Sequence, residues 1–89
     1  MKRTSLLRGM YFGDLPQLDL HGSFVADVPD RIDAFLDPFY VSGGYIRIVG
    51  GVGTGKIMSA IALYLKTLSQ RGLITDYWEE DGASFIICI

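Results

Sequence analysis

Leu18-Asp19-Leu20-His21 alternates apolar and polar positions and stops at Gly22, the pattern of a half-buried β-strand. From Val25 to Phe39 the spacing changes. Val25, Val28, Ile32, Phe35, Leu36 and Phe39 recur every three or four residues, which predicts a helix with one apolar stripe. Pro29 fits the first turn, where a missing N–H leaves nothing unsatisfied, with Asp27 as N-cap and Pro38 as stop. Ser42-Gly43-Gly44 reads as a turn, and Tyr45-Ile46-Arg47-Ile48-Val49 as a strand that runs straight into Gly50-Gly51-Val52-Gly53-Thr54-Gly55-Lys56. Beyond that loop, Ile57, Ile61, Tyr64, Leu65 and Leu68 return to helical spacing, with Thr54 as a cap and Gly72 as terminator. Two short strands, about Ile74 to Trp78 and Ser84 to Ile89, close the chain around Asp81-Gly82.

The resulting order, β-α-β-α-β-β, predicts an α/β two-layer sandwich: a mixed four-stranded sheet carrying two helices. Its first two strands are parallel through a right-handed crossover and its last two form a hairpin. The chain of 89 residues is one domain's worth. Residues 1–15 read as an N-terminal arm or tail and 16–89 as the folded domain.

Composition narrows the chemistry. With 49% hydrophobic residues the chain is not of the disordered class. A single cysteine, Cys88, excludes an internal disulfide and a cysteine zinc site, and the lone His21 cannot complete a histidine-rich one. Flanked by Ile87 and Ile89, Cys88 reads as a small buried hydrophobe. The net charge of −2 has the wrong sign for a strong non-specific nucleic-acid binder. The charge is uneven, however. Lys2, Arg3 and Arg8 stand together without an acid, leaving the rest of the chain at −5; this is either a solvated tail or a local grip on phosphate. Arg8 and Asp14 interrupt any signal-like apolar stretch. The longest apolar run, Phe85 to Ile89, falls far short of the roughly 20 residues a membrane span needs. The expectation is a cytoplasmic protein without a membrane partner.

The glycine loop matches G-x-x-x-x-G-K at Gly50, Gly55 and Lys56, but Ile57 stands where a nucleotide-hydrolysing P-loop carries the hydroxyl that holds magnesium. That argues against ATP or GTP hydrolysis. What remains is physical: glycines ahead of a helix let backbone N–H groups approach an anion, the helix N-terminus adds partial positive charge, and Lys56 a full one. The bland alternative is a tight strand-to-helix turn. Asp19 and His21, two apart on a strand, share a face that ends near the same sheet edge as the loop if the two strands are neighbours. His21 can move a proton near neutrality, Asp19 can orient it or hold a metal ion, and the loop can stabilise phosphate charge. The alternative is a histidine hydrogen-bonded at a strand end with Asp19 capping a turn. Tyr77, Trp78 and Phe85 fit a core between sheet and helices better than a base-stacking platform, and Glu79-Glu80-Asp81 reads as a solvated corner.

These residues also match a known family. Leu18-Asp19-Leu20-His21-Gly22 resembles the opening LDLHG signature of the Smr (small MutS-related) domain, Arg31–Asp37 its first-helix segment, and Gly51-Val52-Gly53-Thr54-Gly55 its second signature, HGxGxG or TGxG. Tyr64-Leu65-Lys66 and Gly82–Ile87 resemble its second helix and last strand, so the likeness runs from about Pro16 to Ile89. The resemblance implies a compact two-layer domain similar to the C-terminal domain of a bacterial translation initiation factor. It implies binding of DNA or RNA, with nicking or cutting by some members, in some cases on stalled ribosomes. It assigns catalytic or substrate roles to Asp19 and His21 and phosphate contact to Gly51, Gly53 and Gly55. With the loop chemistry above, this makes Gly50, Gly51, Gly53, Thr54, Gly55 and Lys56 the candidate phosphate site. No dedicated metal ligands are assigned, and Mg or Mn is the divalent ion such chemistry would take. Gly50 replaces the second signature's histidine, Val52 an often basic residue and Met58 a common arginine; each change removes a donor or a charge. Two expectations follow: a nucleic-acid-binding domain with weak endonuclease activity, or a non-catalytic module that docks on a protein or ribonucleoprotein.

Overall fold

The first strand of the computed structural model, β1 (Gln17–Asp19), is a short edge strand paired only with the second strand of the sheet. The structure describes residues 14–89, so the basic cluster Lys2, Arg3 and Arg8 and the expected arm up to Gly13 lie outside the described residues. Leu20 extends the pairing by one bond, its N–H donating to the Val49 carbonyl at 2.7 Å. A 3-10 turn (Val25–Asp27) leads into α1 (Val28–Leu36), with Pro29 in its opening turn as expected. Asp27 occupies the N-cap position without a side-chain capping bond. The helix starts after Asp27 and stops short of Pro38, as expected, while the apolar spacing that runs on to Phe39 continues in a separate turn. Pro38 has no N–H to donate and interrupts the ladder, then opens the one-turn helix α2 (Phe39–Ser42). The rings of Phe35 and Phe39, 5.4 Å apart, keep the apolar stripe continuous across the break.

Strand β2 (Tyr45–Val49) and helix α3 (Lys56–Gln70) flank the glycine loop, and β3 (Asp76–Glu80) and β4 (Ser84–Cys88) form the closing hairpin. The sheet order is β1-β2-β4-β3; β1 and β2 are parallel, and β4 is antiparallel to both of its neighbours. This is the mixed four-stranded α/β architecture expected from the pattern. Strand β3 lies two residues later than expected. A three-residue turn, with Asp81 and Gly82 both at positive φ, pairs Glu80 with Ser84 and so fixes the hairpin register.

One face of the sheet carries the core. Leu18, Ile46, Ile48, Phe85 and Ile87 meet Val28, Ile32 and Leu36 of α1 and Ile61, Leu65 and Leu68 of α3. Alternation sends Arg47, Ile86, Trp78 and Glu80 to the other face. There Arg47 Nε donates to Glu80 Oε1 at 2.8 Å and the Ser84 hydroxyl donates to the same oxygen at 3.1 Å. Glu80 is thus a half-buried strand residue and not part of a solvated corner. Of the three aromatics expected in the core, Phe85 is buried there and Tyr77 packs against it. Trp78 instead lies on the opposite face, edge-on to Tyr45. Cys88 is half-buried and free. Among the described residues no helix is long and apolar enough to cross a membrane.

Candidate functional site at the ends of the parallel strands

The two parallel strands finish side by side, Asp19 level with Val49, and each then turns into a loop. The carboxyl ends of parallel strands are where an open α/β sheet forms a crevice. Here it is a depression of about 760 Å³, with His21, Gly22, Ser23 and Phe24 on one lip and residues 49–57 on the other. Asp19, His21 and the glycine loop therefore come together.

Asp19 and His21 point away from the core while Leu20 between them is fully buried. Asp19 Oδ1 accepts two hydrogen bonds from His21, one from ring Nδ1 at 2.7 Å and one from the backbone N–H at 3.0 Å. These bonds, the side-chain one first, hold the Asp19 carboxyl below its usual range; the charges of His21 and Arg31 add to the effect. An ionised Asp19 only accepts, so Nδ1 carries the hydrogen and Nε2 is left to exchange protons with a ligand. His21 also leans on the loop, since a Cβ at Gly51 would lie 3.1 Å from its own Cβ.

The loop divides into an anchored base and an open tip. The N–H groups of Gly50 and Gly51 both donate to the Ala83 carbonyl at 2.9 Å, which ties the loop to the β3–β4 turn and leaves neither amide for an anion. Beyond them φ changes sign repeatedly, positive at Gly51 (78°), Gly53 (62°) and Gly55 (82°) but not at Val52 or Thr54. Such alternation turns successive N–H groups toward one side, an anion-binding nest. Gly55 is the N-cap of α3 and gives no side-chain cap, and the Lys56 N–H makes only a long 3.4 Å bond to Thr54 Oγ1. Among the described residues nothing accepts from the N–H groups of Ile57 and Met58, so the positive end of a fifteen-residue helix opens here. Lys56, exposed at the first helical position, adds a full charge.

A Smr-domain family model matches residues 18–86. The chain belongs to the Smr domain family. Over 52 residues, 57% of the chain, this Smr domain is 36% identical to Endonuclease MutS2 of Symbiobacterium thermophilum, and that stretch is 7% of the relative's length. The chain therefore spans only a small part of that endonuclease.

Within this Smr domain the place of the signature's second histidine is occupied sterically. A Cβ at Gly50 would come 2.7 Å from Met58 Sδ and 3.0 Å from Ile61 Cδ1, so Met58 fills the space a side chain would need. Arg31 escaped sequence reasoning as a site residue. Its Nη1 donates to Ser23 Oγ at 2.6 Å on the lip of the depression, and its charge reaches Asp19. The available signal was its isolation, as the lone basic residue between Arg8 and Arg47. Among the described residues no cluster of three or more His, Cys, Asp or Glu side chains is placed to hold a metal ion. Asp19 has one oxygen outside the His21 contacts, so Mg or Mn there would draw most of its shell from water and phosphate.

Proposed function

We propose that this Smr domain binds DNA or RNA through a phosphate at the Gly53–Lys56 tip and cuts a phosphodiester bond slowly, with His21 as the proton-transfer group. The observation that carries the reading is the 2.7 Å Asp19–His21 pair at the lip of a depression whose facing wall is the unengaged end of a helix. In that geometry the loop amides and Lys56 hold the phosphate oxygens and stabilise charge as it builds on them. Nε2 of His21 takes a proton from the attacking oxygen or gives one to the leaving oxygen. Asp19 fixes the tautomer and stabilises the imidazolium. The other proton transfer falls to water, because Gly50 offers no second group. A positioned acid or base contributes about 10²–10⁴-fold, so a site with one of the two cuts slowly.

The test is cleavage of supercoiled plasmid and of single-stranded RNA with magnesium, manganese or EDTA, comparing wild type with His21→Ala. The expected result is cutting that His21→Ala reduces by about 10²–10⁴-fold while low-salt binding persists. Equal cutting by both proteins would remove His21 from the chemistry. Binding without cutting by wild type would favour the second reading, a non-catalytic module that docks on a protein or ribonucleoprotein. The steric filling of the Gly50 position by Met58 is the observation on that side.

A further inference from the structure

A second depression, of about 670 Å³, adjoins the first and shares Thr54, Gly55 and Lys56 with it. It runs between the Val25–Pro29 turn and the exposed face of α3, with Ala60, Leu63 and Tyr64 along its wall. Leu63 is 69% and Val25 47% exposed, so this is an apolar surface left open beside a cationic, amide-lined tip. The size is that of a small-ligand site. Tyr64 is held in place by its hydroxyl, which donates to Asp33 Oδ1 on α1. Burial, and then this bond, push the phenol up to about 12. A pinned aromatic offers contact area with little rotamer entropy left to lose.

We propose that this groove holds an unpaired nucleobase of the strand whose phosphate sits on the Gly53–Lys56 tip, making single-stranded nucleic acid the preferred ligand. The inference rests on the reading of that tip as a phosphate cradle. An anion followed at once by a flat apolar ring is the chemistry of a nucleotide, and it matches the order of the two depressions along α3. A duplex cannot supply it, because its base faces are stacked inside and its outer surface is phosphate and polar groove edge. In an unpaired strand the ring faces are free, and stacking on protein tolerates any base. The hydroxyl of Ser59, on the same wall, can donate to or accept from a base edge.

The experiment is fluorescence anisotropy of the full chain with a short labelled oligonucleotide, as RNA and as DNA, single-stranded and annealed, and with one abasic site moved along the strand. The variants are Leu63→Gln, which is neutral and lies at an exposed position, Tyr64→Ala and Tyr64→Phe, each checked by circular-dichroism melting. Single strands are expected to bind at least about tenfold tighter than the duplex, with one abasic position costing about tenfold. Leu63→Gln and Tyr64→Ala should erase that abasic penalty and leave duplex binding unchanged, whereas Tyr64→Phe should keep it. Equal penalties in RNA and DNA would mean that the base is read and the sugar is not. Duplex and single strand bound alike, or an abasic penalty indifferent to Leu63→Gln, would overturn the proposal and leave the groove to a protein partner. Binding to neither form would defeat the phosphate cradle itself.

Discussion

The Asp19 carboxylate accepts from both ends of the same neighbour, ring and backbone of His21, which makes the orientation of one imidazole a local property of three consecutive residues. A carboxylate held by hydrogen bonds titrates low. Its contribution to folding is present above the ordinary carboxylate range and lost as pH falls through the lowered value. The group is exposed, so the readout is its own titration: carbon-detected NMR should place the Asp19 midpoint below that of a free aspartate, and His21→Ala should move it back up. Gly50 carries a second expectation. Gly50→Ala pushes a methyl into Met58 and Ile61 and should cost about 1–3 kcal/mol by denaturant melting, as overpacking does. Adding Met58→Ala should return part of that loss, a non-additivity expected only of residues in contact. Alternation put Asp19 and His21 on one face of a strand, because a strand period fixes which side chains share a face, and the likeness to the LDLHG signature made them site candidates. The division of the glycine loop was not legible. The carbonyl that engages Gly50 and Gly51 belongs to Ala83, more than thirty residues away, and no local pattern announces such a partner.

Helices α1 and α3 are joined at their exposed rims by the Tyr64–Asp33 bond. Because the phenol is raised to about 12, the fold retains a proton there that the unfolded chain releases near pH 10. The stabilisation is full below pH 10 and is lost as pH rises from about 10 to 12. Thermal melts should therefore fall more steeply over that interval in wild type than in Tyr64→Phe, and at neutral pH the variant should lose about 1 kcal/mol. Element order, the parallel first pair, the closing hairpin and both long helices could be read from period and turn residues; the place of β4 between β2 and β3 could not. The differences lay in boundaries and in facing: Trp78 and Glu80 turn to the sheet face away from the helices. Pro38 stops α1 as its missing N–H predicts, and beyond it the chain stays near-helical for one more turn that the pattern did not announce. The shift of β3 comes from a turn in which Asp81 adopts positive φ, a conformation that aspartate tolerates better than most residues and that its identity does not compel.

The whole molecule carries a net charge of −2, so long-range attraction to a polyanion is weak and contact is made by few cations. Lys56 and Arg31 are the described basic residues at the depression. Each phosphate neutralised contributes about −0.7 to −0.9 to the slope of log K against log salt, so the slope should be shallow, about −1 to −2. Lys56→Ala should reduce it by about one. Titrating affinity from low to physiological salt measures both. The sheet order has a consequence for synthesis. Strand β4 is the latest segment of the sheet to be made, yet it lies between β2 and β3 and supplies Phe85 and Ile87 to the core. While residues 84–88 are still inside the ribosomal exit channel, β3 has no neighbour to pair with and β2 has only β1. The nascent domain therefore emerges as two unjoined halves, its core open to chaperones until its final strand slides into the centre.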